Sequence, residues 1–159
     1  MQQNPTPMKL KSLADGRILL DSGSAWEPLM GYSRAVVAGD TIHVAGCVGV
    51  EADGSYSSSL SRQTARCMER IEEALRALGA GVGEIVRARI YTTRIEDWRD
   101  IASVLGPIFA ATRPANSLLG VAALVDPAAL VEIEVDAWTG SAARRGSALP
   151  GASDATASS

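Results

Sequence analysis

The run Leu130-Val131-Glu132-Ile133-Glu134-Val135-Asp136-Ala137-Trp138-Thr139 alternates without a break between apolar and polar side chains. Successive side chains of an extended strand point to opposite faces. Val131, Ile133, Val135 and Ala137 therefore form one row, and Glu132, Glu134, Asp136 and Trp138 form the other. Such a strand belongs in a sheet with one face packed on a core and one face left open.

The segments upstream extend that sheet. From Ile85 to Thr93, Val86, Ala88 and Ile90 oppose Arg87, Arg89 and Tyr91, which predicts a second half-buried strand. Ser117–Ala122, Arg17–Leu20, Ala35–Val37 and Thr41–Ala45 read as shorter strands, and the last two are joined by Ala38-Gly39-Asp40, a hairpin signal. His43 alternates with Thr41 and Ala45 on the last of these. Between them the periodicity changes to three and four. Ala65, Met68, Ile71, Leu75 and Leu78 mark one face of a helix over about Ser59–Leu78, with Gly79 as its stop. Trp98, Ile101, Val104, Leu105 and Ile108 mark the inner side of a second helix from about Asp97, which Pro107 should kink or tighten.

The order hairpin, helix, strand, helix, strand, strand is an α+β pattern: one mixed sheet with both helices on one face. The opposite face is then bare. A wide bare sheet face is costly in water, so copies of the chain are expected to cover one another.

The chain has 159 residues, 47% of them hydrophobic and 21% charged, which suits one globular domain. Residues 1–14 read as a flexible N-terminal segment and 15–140 as the domain. Residues 141–159, nearly all Ser, Ala, Gly and Arg, read as a disordered tail that cannot bury enough apolar surface to offset ordering. A net charge of −3 does not favour capture of a phosphate backbone, so no nucleic-acid partner is expected. No apolar run approaches the roughly 18 residues needed to cross a bilayer, and no signal peptide is evident, so the protein is expected in the cytoplasm without a membrane partner. The two cysteines, Cys47 and Cys67, match no zinc or redox spacing, and His43 is the single histidine. Neither a metal nor another cofactor is expected.

Gly31-Tyr32-Ser33-Arg34-Ala35-Val36, followed by Ala45-Gly46-Cys47, resembles the GPYSQAV…SGQ opening of RidA/YjgF proteins. Gln63-Thr64-Ala65-Arg66 is similar to their QTRQ helix start, and Ile85–Arg94 to their VVKTTVFLTD strand. Arg113-Pro114-Ala115-Asn116-Ser117 stands where that family has P-A-R-S, and Leu130–Val135 resembles its closing VEIEA strand. The matches keep their order and span roughly Asp15 to Trp138. The resemblance implies a chorismate-mutase-like fold assembled as a homotrimer, sheets inward and helices outside, with small-molecule pockets between subunits. It also implies hydrolysis of reactive enamines and imines, such as 2-aminoacrylate, to keto acids and ammonia. Some members carry an endoribonuclease label, which the acidic balance of this chain does not favour.

The resemblance assigns roles residue by residue. Glu132 matches the glutamate that holds the attacking water; it also reads as a solvated strand carboxylate, and Glu134 shares its face. Tyr32 matches a tyrosine that packs over the ligand, or is an ordinary interface aromatic. Gly46 matches a position whose backbone approaches the ligand, or is a tight turn. Cys47 falls at the rim of the implied pocket, where a thiolate would be a nucleophile, or it is a small packed residue. Leu118 stands where some relatives have a polar or thiol side chain.

Asn116 departs from the pattern, because the family places there the arginine that grips the substrate carboxylate. An amide donates hydrogen bonds without supplying the charge, and losing a buried charged partner costs roughly 2–5 kcal/mol of binding. Arg113 or Arg89 would compensate if either reached the site; each also reads as a salt-bridge residue. The resulting expectation is a pathway-specific hydrolase or deaminase of an imine, enamine or related conjugated intermediate. Two alternatives stay open: a trimeric binder of a small metabolite without catalysis, and an isomerase or cyclase with Glu132 as general base.

Overall fold

The computed structural model describes residues 8–140, so the expected C-terminal tail and residues 1–7 lie outside the described residues. In chain order the elements are β1 (Lys9–Ser12), β2 (Ile18–Asp21), α1 (Trp26–Met30), β3 (Ala35–Ala38), β4 (Thr41–Val48), α2 (Leu60–Ala77), β5 (Ile85–Thr92), α3 (Trp98–Phe109), β6 (Ala115–Gly120) and β7 (Val131–Trp138). The strands form one seven-stranded sheet in the order β1-β2-β3-β4-β7-β5-β6. Every neighbouring pair is antiparallel except β5 and β6, which are parallel. That pair is connected through α3, as a parallel pair requires a crossover.

The expected architecture is present: α2 lies across β4 and β7, and α3 packs against α2 on the same side. The core fills the space between. Ile42, Val44, Ile90, Val131, Ile133 and Val135 from the sheet meet Leu60, Ile71 and Leu75 from α2. On β7 the apolar row is buried throughout, while Glu132, Glu134 and Asp136 stay partly exposed on the other face. Ser59 caps α2 by accepting a hydrogen bond from Arg62 N, and Gly79 ends it in the left-handed conformation at φ 73°. The β3–β4 hairpin turns through Gly39 at φ 58°, a conformation that suits glycine. Among the described residues, no helix is long and apolar enough to cross a membrane.

Several local expectations differ from the structure. Lys9–Ser12, expected within a loose N-terminal segment, pairs with β2 as the edge strand β1. All four residues are exposed, so main-chain hydrogen bonds rather than burial hold the strand, and hydrophobic periodicity does not register it. Val86 does not share a face with Ala88 and Ile90. Ile85 faces Ala137 and Arg87 faces Asp136, so Val86 is one residue too many for the ladder and bulges outward. In α2 Ala65 is only partly buried, and Cys67 and Thr64 occupy the inner face with Ile71. Trp98, expected on the inner side of the second helix, is exposed beneath the Arg99 guanidinium, and Phe109 is buried instead. α3 runs on through Pro107 and ends at Phe109. The helix α1, a single turn containing Pro28, was not anticipated at all.

Candidate functional site

The site is built around an irregularity in β4. Val44 pairs with Val135 and Cys47 with Ile133, so Ala45 and Gly46 together face the single residue Glu134. Such a bulge twists its strand and re-aims the side chains after it. Here it turns Cys47 into the core, where the side chain is fully buried, and leaves the Gly46 backbone facing the open side of the sheet.

Arg34 occupies the space behind the bulge. Its Nη1 donates to the Gly46 carbonyl at 2.8 Å and, at 3.4 Å each, to the Ala45 carbonyl and Cys47 Sγ. Its Nη2 donates to Tyr32 Oη at 3.1 Å, and the guanidinium also lies over the Tyr32 ring. On its other side Nε faces Glu27 Oε1 at 3.7 Å. Glu27 is itself buried and accepts from Ser22 N and Ser22 Oγ, the latter at 2.6 Å. Removing two charges from water is costly unless they are paired and hydrogen-bonded; here they are paired, and the hydrogen bonds reach Nη1, Nη2 and the Glu27 carboxylate but not Arg34 Nε. The short helix α1 supplies Glu27, and the Tyr32 N–H donates back to the Glu27 carbonyl, so the turn that carries Tyr32 is tied to the same network.

Glu132 stands beside the bulge on the open face, opposite Val48 on one neighbour and Tyr91 on the other. Gly46 is required there for space. A Cβ on Gly46 would lie 1.9 Å from Glu132 Oε1. Burial pushes the Glu132 carboxyl above its ordinary value, the charge of Glu134 pushes it further, and Arg34 opposes both. These groups line a cleft of about 650 Å³ together with Tyr32, Arg70, Tyr56 and Asp126. Trp26, Met30 and Val125 form its apolar rim. Burial also raises the Tyr56 hydroxyl, with the Asp126 carboxylate adding to the shift.

Of the residues singled out from sequence, Glu132, Tyr32 and Gly46 thus meet in one cleft. The others do not join them within one chain. Asn116 and Leu118 pair with Ala88 and Ile90, whose side chains are buried on the helix side, so they take the face opposite Glu132. Asn116 lines a separate recess with Arg113, Pro114 and the end of α3. Arg113, held at φ 45° with its N–H donating to the Phe109 carbonyl, belongs to that recess and not to the Glu132 cleft.

Arg89 is on the open face but is engaged by Glu134 at 3.0 Å and Asp136 at 3.3 Å. His43 binds the other oxygen of Asp136 at 2.7 Å. Cys47, expected at the pocket rim, is in the core with its thiol pushed upward by burial, so it offers no thiolate to a ligand. Cys67 is likewise buried and free.

Sequence reasoning missed Arg34 and Arg70, and did not assign Glu27 to a buried pair. The signal for Arg34 was its place in the Tyr32 motif, an arginine where the resembling pattern has Gln, directly before the buried Ala35. Glu27 had a weaker signal, since its partners Ser22 and Arg34 are brought near it only by the turn of α1.

Comparison with known proteins agrees with this architecture. A family model described as endoribonuclease L-PSP matches residues 22–139. The RutC family protein UK114 of Drosophila melanogaster is 32% identical over 127 residues, covering 79% of this chain and 91% of its own length. The 2-iminobutanoate/2-iminopropanoate deaminase of Dermatophagoides farinae is 27% identical over 118 residues, covering 73% of this chain and 91% of its own. Among solved structures, Rv2704 of Mycobacterium tuberculosis, a member of the YjgF/YER057c/UK114 family, matches with TM-score 0.72 and 41% identity over 77% of this chain and 99% of that one. With the ordered motifs, the single mixed sheet under two main helices and the match to residues 22–139, this chain belongs to the endoribonuclease L-PSP family, that is, the RidA/YjgF family.

Proposed function

We propose that the protein hydrolyses an imine or enamine intermediate to a carbonyl compound and ammonia, with Glu132 handling the water. The observation that carries this reading is the Glu132 carboxylate, half-buried beside a glycine bulge in a cleft that also holds Tyr32 and Arg34. The name of the mite relative points to the same reaction class.

An imine carbon is already electrophilic, so the protein needs only to position water and pass its two protons to nitrogen. Water oxygen bonds to the imine carbon as the C=N π pair moves to nitrogen, and Glu132 takes the water proton. Return of that proton to nitrogen gives a carbinolamine, and transfer of its hydroxyl proton to nitrogen, again through Glu132, lets the C–N bond break as the O–H pair forms the carbonyl and ammonia leaves. A carboxyl raised above its ordinary value is the better base for this step. Arg34 holds the Gly46 carbonyl and the Tyr32 hydroxyl in place and thereby shapes the wall of the cleft.

The working unit of this proposal is a homotrimer whose open sheet faces meet inward. The exposed Trp138 on that face supports it, as does Leu119, which shares a face with Tyr91. Within its own chain Asn116 lies on the face opposite Glu132, so a part for it in this chemistry requires a neighbouring copy's cleft to reach across the β6 edge of the sheet. With an amide there in place of a guanidinium, simple 2-imino acids are poor substrates, and a pathway-specific intermediate is favoured.

The test is to generate 2-aminoacrylate and larger imines in situ and follow release of ammonia and keto acid with and without the protein. Acceleration that disappears in Glu132→Ala is the expected result. Rates unchanged by the wild-type protein for every imine offered overturn the hydrolase and leave the metabolite binder. Asn116→Arg is expected to raise turnover of the smallest imino acids.

A further inference from the structure

Arg70 projects from α2 into the same cleft as Glu132. It is partly buried, and Nη1 donates to the Val48 carbonyl at 2.9 Å. Among the described residues it has no ion pair, whereas Arg34 faces Glu27, Arg62 and Arg66 face Glu51 and Glu69, and Arg89 faces Glu134 and Asp136. Asp126 also lines the cleft, with its Oδ1 accepting from Ala128 N at 2.9 Å. A guanidinium has five N–H donors in a planar fork. With one of them on Val48 the group is held in place, and the remaining donors suit an incoming carboxylate.

The cleft is also larger and greasier at its mouth than a small imino acid requires. Trp26, Met30 and Val125 border it and are 49%, 63% and 72% exposed. Scattered exposed apolar side chains are ordinary, but three of them around one cleft of about 650 Å³ are suited to an apolar ligand body.

We propose that Arg70 is the anion anchor of this cleft and that its ligand is an amphipathic carboxylate, an acid group carried on an apolar or aromatic body. This replaces, from within the chain, the charge that Asn116 does not supply. It rests on the proposed function for the choice of cleft, not for the reaction.

The test is equilibrium binding by calorimetry to three probes: phenylpyruvate, pyruvate and the neutral ketone 1-phenylpropan-2-one. Phenylpyruvate is expected to bind at least about tenfold more tightly than either of the others. Arg70→Gln is expected to weaken phenylpyruvate by about tenfold or more and to leave the neutral ketone unchanged, with Arg70→Lys between the two. Equal binding of phenylpyruvate to wild type and Arg70→Gln overturns the anchor, and so does failure of phenylpyruvate to bind the wild type. Equal affinity for pyruvate and phenylpyruvate overturns the apolar body.

Should Arg70→Gln not fold, Arg70→Lys carries the test, because it keeps the charge without the fork. Unchanged affinity in that variant overturns the anchor. Binding that depends on Arg70 without turnover of any imine sinks the hydrolase alone, and turnover without dependence on Arg70 sinks the anchor alone.

Discussion

At Gly46 the chain has no room for a side chain, because the Glu132 carboxylate occupies that space. The obstructing atoms are the far end of a side chain, which can rotate away, so a methyl group there costs little stability and displaces the proposed base. Gly46→Ala is expected to lower kcat/KM for an imine by about tenfold or more while shifting the unfolding midpoint by only a few degrees, roughly the scale of 1 kcal/mol. A large loss of stability with activity retained would contradict it.

Glu132 itself has a pH signature. Its folded-state carboxyl is raised by burial and by Glu134, so the folded chain holds that proton more tightly than the unfolded chain does. Ionising it as pH rises through the raised value therefore costs stability. Glu132→Gln is expected to raise the unfolding midpoint at neutral pH and to lose that advantage at pH below the ordinary value of 4.5. Glu134→Gln removes the like charge, so the acid limb of the pH–rate profile should move to lower pH. A limb that stays put would mean that Glu132 is not the group titrating.

At the level of elements, two bulges account for most of what simple alternation misplaced. Counting by twos along β4 from Thr41 puts Cys47 on the open face with His43 and Ala45. The extra residue at Ala45–Gly46 reverses that parity, and Cys47 is buried. In β5 the bulge at Val86 makes the same change at the other end of the ladder and brings Ile85 inward. One side-chain amide ties α2 to the segment leading into β7. Buried Gln63 donates through Nε2 to the carbonyls of Ser57 and Ala128, and its Oε1 accepts from Leu130 N. Gln63→Ala leaves those three backbone groups without their partner, and denaturant unfolding is expected to show a loss of about 3 kcal/mol. One edge of the sheet is β1, whose Lys9 and Lys11 discourage further strand pairing.

For the whole molecule, the decisive surface is the open face of the sheet. It carries the network of His43, Asp136, Arg89 and Glu134, with Tyr91 Oη donating to Glu134 at 3.5 Å. In the proposed trimer this network is covered by neighbouring copies. Sedimentation is expected to give three times the 16.6 kDa chain mass. Leu119→Glu, which places a charge on this face, should shift the population to smaller species and reduce turnover with it. A wild-type particle of one chain mass would remove the basis for clefts completed between copies.

The alternation of 130–139, the two helical stripes and the turn residues Gly39 and Gly79 determined the α+β class and the covered face, because each depends on local periodicity or on a backbone conformation that few residues adopt; the family was legible from the resemblance of the ordered motifs. Glu132, Tyr32 and Gly46 were legible through that resemblance, residue by residue, and not through periodicity. Only the tertiary structure decided that Arg34 and Glu27 form a buried pair behind the bulge. It alone also put Arg70 in the Glu132 cleft and Asn116 on the other face. Those outcomes depend on strand order and on bulges that reverse parity, which bring together residues far apart in the chain and leave no period for a sequence to display.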